Sequence, residues 1–239
     1  MKFCVCIKQV PDVAANVQTG RTVLNAYDAS AVEEALVIRD EIGGEVDLVL
    51  IGDAGATETI RKALAMGADS AVHIVTDAEP DSHAASKLLA DFFADRGYDV
   101  ILTGKQAQDT DAGLTGSMLA ERLGLPFATN AVGLKAESGA LVVTRQGDTG
   151  QELIHLPAPC LVTCSNDMND PRIPSLKGIM SAKRKTIESV HPDVVPASAV
   201  AVGEHRDPPG REPGVKLEGE VPDMIAELVS RLSDEAGVI

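Results

Sequence analysis

The residues best suited to chemistry form the run Gly104-Lys105-Gln106-Ala107-Gln108-Asp109-Thr110-Asp111-Ala112-Gly113-Leu114-Thr115-Gly116. An apolar stretch ending at Thr103 precedes it and a helical pattern follows, so it has the position of a strand-to-helix loop. Gly104 and Gly113 let the backbone come close to a phosphate. The start of a helix also presents N–H groups that have no partner within the helix. Gln106, Thr110 and Thr115 add neutral donors, whereas Asp109 and Asp111 oppose a heavily charged triphosphate. The Gly-x4-Gly-Lys-Ser/Thr signature is absent, so a monophosphate is the easier guest. The same run also reads as an ordinary loop with an Asp or Thr cap, and spacing alone does not separate the two.

Other constellations carry little. Cys4-x-Cys6 and Cys160-x3-Cys164 lie in apolar, strand-like runs, where zinc would require turns flanked by Gly or polar residues. They read as reduced core cysteines. His73, His83, His155, His191 and His205 show no metal-ligand spacing. After the first apolar run stands Lys8-Gln9-Val10-Pro11-Asp12, not the G-x-G-x-x-G of a dinucleotide fold. Gly-x-Ser-x-Gly is missing, and no cysteine has an evident base. Glu33-Glu34 suits a helix start better than an acid/base pair. The pattern points to binding or carriage, not to bond-making catalysis.

A second segment stands out, Asp170-Pro171-Arg172-Ile173-Pro174-Ser175-Leu176-Lys177-Gly178-Ile179-Met180-Ser181-Ala182-Lys183-Arg184-Lys185. Prolines stiffen its approach, and basic residues crowd behind Leu176, Ile179 and Met180. That suits a projecting element that docks on a partner, although a lone basic run is ordinarily a solvated face. The rest of the chain is acidic, with 36 Asp and Glu against 21 Lys and Arg and a formal net charge of -15. Such a balance argues against general nucleic-acid binding. Hydrophobic content of 44% over 239 residues is ample for a core, and an aromatic content of 3% leaves Val, Ile, Leu and Ala to fill it. Neither a signal peptide nor an apolar run of spanning length is visible, so the expected setting is cytoplasmic, without membrane insertion.

The elements that position these residues alternate between strand and helix. Apolar runs Phe3–Ile7, Val46–Ile51, Ala71–Val75 and Asp99–Thr103 read as parallel strands covered on both faces. Asp12 to Arg21 is a loop or small hairpin. Helices are expected from Tyr27 to Gly43, with Asp28 or Ser30 as cap, from Thr57 to Met66, from Asp81 to about Arg96, and from Leu114 to Leu123. Leu141–Arg145 and Gln151–Leu156 flank a turn and read as a hairpin, with Cys160–Cys164 a further strand. Beyond Ile187 lies a Pro-rich tail containing Pro208-Pro209-Gly210. It ends in an amphipathic helix striped by Met224, Ile225, Leu228, Val229 and Leu232. The expected fold is a mostly parallel, doubly wound α/β sheet with an added antiparallel hairpin and a C-terminal arm. Ligands in such sheets bind beyond the strands' carboxyl ends, here Cys6 to Val10, Gly52 to Gly55 and Gly104 to Thr115.

Taken together, several ordered segments resemble the β subunit of the electron transfer flavoproteins. They are Cys4-Val5-Cys6-Ile7-Lys8-Gln9-Val10-Pro11-Asp12, Asn25-Ala26-Tyr27-Asp28 with Ala31-Val32-Glu33-Glu34-Ala35, and Lys62-Ala63-Leu64-Ala65-Met66-Gly67-Ala68-Asp69. Leu102-Thr103-Gly104-Lys105-Gln106-Ala107 and Asp170-Pro171-Arg172 with Leu176, Ile179-Met180 and Ala182-Lys183 complete the set. The resemblance implies an adenine-nucleotide α-hydrolase-like domain over 1–189, with a recognition loop at about 166–189, and an arm over 190–239 that contacts an α subunit. It implies a non-enzymatic electron carrier, an αβ heterodimer with FAD mainly on a mobile α-subunit domain and a structural AMP in β. Electrons would pass from acyl-CoA-type dehydrogenases toward a membrane quinone oxidoreductase. The implied AMP pocket comprises Cys6, Asn25, Ala26, Tyr27, Asp28, Gly52 and the loop from Gly104 to Thr115. Leu176 is the implied anchor on the dehydrogenase, with Ile179 and Met180 beside it.

The chain departs from the family pattern in places. Leu176-Lys177-Gly178-Ile179-Met180 replaces the frequent Leu-Pro-Asn-Ile-Met, and Gly178 is expected to loosen that turn. Ser181 and Arg184 stand where mitochondrial members carry methylatable lysines. Val13 stands where some members place a tyrosine near the flavin, while Tyr27 stays available as a flavin contact. Two alternatives remain: a flavin-bifurcating relative with a second FAD in the AMP pocket and NADH as donor, and a stand-alone nucleotide-binding stress-type protein.

Overall fold

In the computed structural model, residues 1–12, 20–204, 206, 209–211 and 213–239 are described. Val13, His205 and Pro208 lie outside them, as does most of the stretch between Asp12 and Arg21. Contacts divide the chain into two compact units, Met1–Ala201 and Val202–Ile239.

The first unit is built on a central sheet. Its strands are β1 (Lys2–Ile7), β4 (Glu45–Gly52), β5 (Ser70–Val75), β6 (Val100–Gly104), β7 (Phe127–Glu137), β8 (Ala140–Gln146), β9 (Gln151–Pro157), β10 (Cys160–Cys164) and β11 (Ile187–Val190). Among the described residues this sheet has nine strands in the order β11-β5-β4-β1-β6-β10-β7-β8-β9. From β11 through β7 every neighbouring pair is parallel, whereas β8 and β9 add an antiparallel hairpin at one edge. A separate antiparallel pair, β2 (Gln9–Pro11) and β3 (Thr22–Leu24), flanks the undescribed stretch and closes with Asp12 N–H donating to Arg21 O.

Apolar alternation along the strands creates two cores. Phe3, Val5 and Ile7 of β1 face one side, under the helices α1 (Ala26–Ile42) and α2 (Thr57–Met66). Cys4 and Cys6 face the other, under α3 (Ser82–Phe93) and α4 (Thr115–Leu123). Helices on both faces make the sheet doubly wound, as the apolar runs predict. All four cysteines are buried free thiols. Asp81 caps α3 by accepting from Ala84 N–H, and it also accepts from the N–H groups of Ala199 and Val200.

Three elements differ from expectation. β7 is an eleven-residue strand that its sequence conceals. Asn130 sits at φ 57, and the ladder to β8 shifts register between Ala131 and Gly133, so alternation breaks in mid-strand. β11 is a four-residue edge strand beside β5. Residues Leu176–Ala182 form a short helix, α5, capped by Ser175 Oγ accepting from Gly178 N–H. In the second unit, α6 (Val221–Ser230) matches the predicted amphipathic helix, and its apolar Val221, Ile225, Leu228 and Val229 are exposed. Among the described residues no helix is long and apolar enough to cross a membrane.

Adjacent residues of α1 give an internal test of the packing. Leu36 is fully buried, while Val37 is 36% exposed. Leu36→Ala should cost about 3 kcal/mol in denaturant unfolding, and Val37→Ala no more than about 0.5 kcal/mol. Equal losses at both positions would contradict the placement of α1.

Candidate functional site

Strand order reverses between β1 and β6. From β1 the sheet extends through β4 and β5, and from β6 it extends the other way through β10. A crevice opens at the carboxyl ends of strands at such a reversal, and ligands of doubly wound sheets bind there.

Asp28, in the first turn of α1, reaches into this crevice. Its Oδ2 accepts from the N–H of Lys8, one residue past β1, at 2.7 Å. Its Oδ1 accepts from the N–H of Gly104, the last residue of β6, at 2.9 Å. Asp28 was expected as a helix cap. Instead the helix starts at Ala26, and Asp28 bridges two strand ends. Burial pushes its carboxyl up to about 7, against the donors from Asn25, Lys8 and Gly104 that pull it down. Gly104 is required at this junction, since a Cβ would overlap Asp28 Oδ1 and stand 2.7 Å from Tyr27 Cβ.

The loop after β6 is fastened to the start of α1. Asn25 Nδ2 donates to Gln106 O at 2.9 Å, and Asn25 Oδ1 accepts from Gln108 N–H. Gln108 Oε1 in turn accepts from Ala26 N–H. Both loop aspartates are engaged: Lys8 Nζ pairs with Asp109 at 2.7 Å, and Gln106 Nε2 donates to Asp111 Oδ1 at 2.8 Å. Asp111 at φ 49 and Gly113 at φ 64 then turn the chain into α4. Leu114, at the cap position of α4, provides no side-chain acceptor for the first-turn N–H groups. Gly116 brings that turn down onto the sheet, for a Cβ there would lie 2.6 Å from Thr163 Cγ2 and 2.8 Å from Thr103 Oγ1. An open helix start on the carboxyl ends of β6 and β10 favours an anion.

Most of the predicted nucleotide residues thus converge. Cys6, Asn25, Ala26, Tyr27 and Asp28 meet Lys105, Gln106, Ala107 and Gln108, with Asp109, Thr110, Asp111, Ala112, Gly113 and Leu114 on the exposed rim and Thr115 opening α4. Gly52 stands at the end of β4, with β1 between it and this loop. Its carbonyl accepts from Thr76 N–H and His73 Nε2. Burial pushes the Cys6 and Cys164 thiols up, so both are neutral beside Asp28. Lys8 and Gly116 lie inside the expected segments, whereas Thr103 and Thr163, which meet Gly116, were not named among the expected site residues. Nothing in their apolar runs marks either threonine.

Leu176, Ile179 and Met180, expected to dock a partner, lie at the other end of the sheet. After β10 the chain runs along α1: Asn169 Nδ2 donates to Ser30 O and Glu34, and Arg172 pairs with Glu33 and Asp40. It then packs α5 against the end of α2 before entering β11 at the amino-terminal end of β5. Leu176 is 77% exposed, so it is not a core contact, and Ile179 and Met180 are exposed with it. Gly178 does not loosen the turn. It lies inside α5, where a Cβ would stand 2.5 Å from Ala65 O, and its absence lets the two helices touch. A polar cleft of about 390 Å³ near Asp47 and Tyr98 is a poorer ligand site. Asp47 already accepts from Ser70 and Tyr98, and Arg96 pairs with Glu188.

Residues 14–195 match the model of the electron transfer flavoprotein domain. The chain is 38% identical over 258 aligned positions to the electron transfer flavoprotein subunit beta of Bradyrhizobium diazoefficiens, covering 100% of both chains. The chain belongs to the electron transfer flavoprotein β-subunit family. It is also 35% identical to the same-named subunit of Bacillus subtilis, over 91% of this chain and 88% of that one. To the caffeyl-CoA reductase-Etf complex subunit CarD of Acetobacterium woodii it is 36% identical, over 98% and 99%. Family membership carries an electron-transfer role and an association with flavin.

The Asp28 bridge predicts a pH signature. Its folded-state pKa, about 7, lies above the ordinary 3.8, so the folded chain holds a proton that the unfolded chain has lost between those values. The stabilising contribution is full below about pH 4 and disappears as pH rises through 7. Relative to Asp28→Asn, the natural chain should therefore lose stability from pH 5 to 7, by up to about 1 kcal/mol per pH unit. Parallel pH–stability curves would contradict the buried placement of this carboxylate.

Proposed function

We propose that this chain is the β subunit of a heterodimeric electron transfer flavoprotein and holds AMP at the β1/β6 crevice. The observation that carries the reading is the α4 start. It has no side-chain cap from Leu114 and is seated by Gly116 on the ends of two strands beside Gly104. The first-turn N–H groups of Thr115 and Gly116 suit one phosphate. Asn25 and Gln108 order the loop around it, and Lys8 neutralises Asp109 at the rim. Asp28 holds the crevice walls and need not contact the nucleotide through its side chain.

FAD would sit mainly on the α subunit, where it supplies the one- and two-electron chemistry; Tyr27 is this chain's candidate contact to it. In this reading electrons come from acyl-CoA-type dehydrogenases of fatty acid β-oxidation and go to a membrane quinone oxidoreductase. Leu176, Ile179 and Met180 would dock the dehydrogenase. A small exposed apolar anchor suits a transient contact that leaves the flavin domain free to move. The uncovered apolar stripe of α6 supports an arm that contacts the α subunit.

The similarity to CarD supports a second reading, a bifurcating complex with another FAD in place of AMP. Nucleotide analysis separates them. The chain should be co-expressed with its α subunit, and the purified heterodimer denatured and its nucleotides quantified by chromatography. AMP and FAD in equal amounts are expected. Two FAD without AMP would overturn the AMP assignment, and no adenine nucleotide in the β chain would overturn both readings.

A further inference from the structure

α5 spans seven residues, too few to hold a helical shape by local bonding. Apolar burial does little for it. Ala182 is its one buried residue, while Leu176 is 77% exposed and Ile173, just ahead of it, is 91% exposed. Polar clamps on either side hold it instead.

On the approach, a single residue occupies both oxygens of Glu33. Arg172 Nε donates to Oε1 at 3.1 Å and to Oε2 at 2.8 Å, and Arg172 N–H donates to Oε2 at 3.0 Å. Glu33 is buried on α1, and Asp40 takes a further bond from Arg172 Nη1 at 3.2 Å. Backbone and side chain are fixed together, so the clamp sets both the position and the direction of the chain three residues before the Ser175 cap. At the far end, Arg61 of α2 donates from Nη1 to the carbonyls of Ala182 and Lys185, and Lys185 Nζ donates to Ala68 O. Gly178 rests on Ala65 O between the clamps. A charged group bonded to helix-end carbonyls opposes fraying where the helix cannot supply partners.

We propose that Glu33 and Arg61 are positioning residues for partner docking. Glu33 acts through Arg172 and Arg61 through the α5 carboxyl end. Together they present Leu176 and Ile173 in a fixed geometry, so the partner flavin dehydrogenase does not have to order the segment on binding. The inference rests on the docking role assigned to Leu176 above. A segment ordered in advance binds more tightly than one ordered at the moment of contact, with no new interaction across the interface.

The test is steady-state reduction of the α/β heterodimer by an acyl-CoA dehydrogenase, with the heterodimer as varied substrate. Glu33→Gln and Arg61→Met should each raise KM roughly fivefold while kcat and the AMP and FAD content stay unchanged. Glu33→Gln combined with Arg172→Gln should be no worse than either alone, because the two sever one clamp. Arg172→Lys keeps the charge but loses the fork; it should show the same KM effect and serves if Glu33→Gln does not assemble. If Leu176→Ala raises KM and the clamp variants do not, the positioning role is wrong and the docking reading stands. If Leu176→Ala leaves KM unchanged, the docking reading fails and the inference with it. Clamp variants that lower kcat and nucleotide content together, at constant KM, would mark the clamps as structural only and would also overturn the proposal.

Discussion

The Asp28 carboxylate holds the ends of β1 and β6 together where the sheet reverses its winding, and the candidate nucleotide site depends on that bridge. Two backbone N–H groups, from Lys8 and Gly104, would otherwise be left at a crevice mouth with no strand to pair with. Supplying both acceptors from one buried side chain satisfies them and fixes the separation of the crevice walls. The arrangement carries a desolvation cost, visible in a carboxyl pushed up to about 7. Gly104 follows from it, since any side chain would collide with the carboxylate. The start of α1, the loop after β6 and the start of α4 are then assembled around one fixed point.

α1 connects the candidate nucleotide site to the segment proposed to dock a partner. Its first turn carries Asn25 and Asp28 at the carboxyl ends of the strands, while Glu33, Glu34 and Asp40 hold the chain that leaves β10. Nucleotide and partner would therefore meet opposite ends of the sheet and share one rigid helix. This separation suits a subunit that keeps a structural nucleotide while a partner docks elsewhere.

Much of this was legible in the sequence. Short apolar runs ended by glycine, such as Val46–Ile51 before Gly52, locate parallel strands because a strand buried on both faces has no polar alternation. Gly43, Gly67 and Gly124 locate helix ends because each takes a positive φ there. The loop from Gly104 to Gly116 was visible as a strand-to-helix connection from its flanking elements, β6 and α4. What stayed hidden depends on contacts distant in sequence. Asp28 looks like a cap, but its partner Gly104 is 76 residues away. β7 is masked by a bulge and a left-handed Asn130, and β11 by its shortness. α5 is masked by Gly178, a poor helix former locally, whose value lies in its approach to Ala65. Glu33 reads as a helix-start charge until Arg172 is brought beside it.

The central claim is that nucleotide occupies the crevice bridged by Asp28. Amide hydrogen exchange on the α/β heterodimer, stripped of nucleotide and then titrated with AMP, tests it most directly. Protection should rise at Lys8, at Asn25–Asp28 and from Gly104 through Gly116, while β8, β9 and the cleft near Asp47 and Tyr98 stay unchanged. Protection confined to that cleft or to the hairpin, or the absence of any AMP-dependent change, would contradict the account.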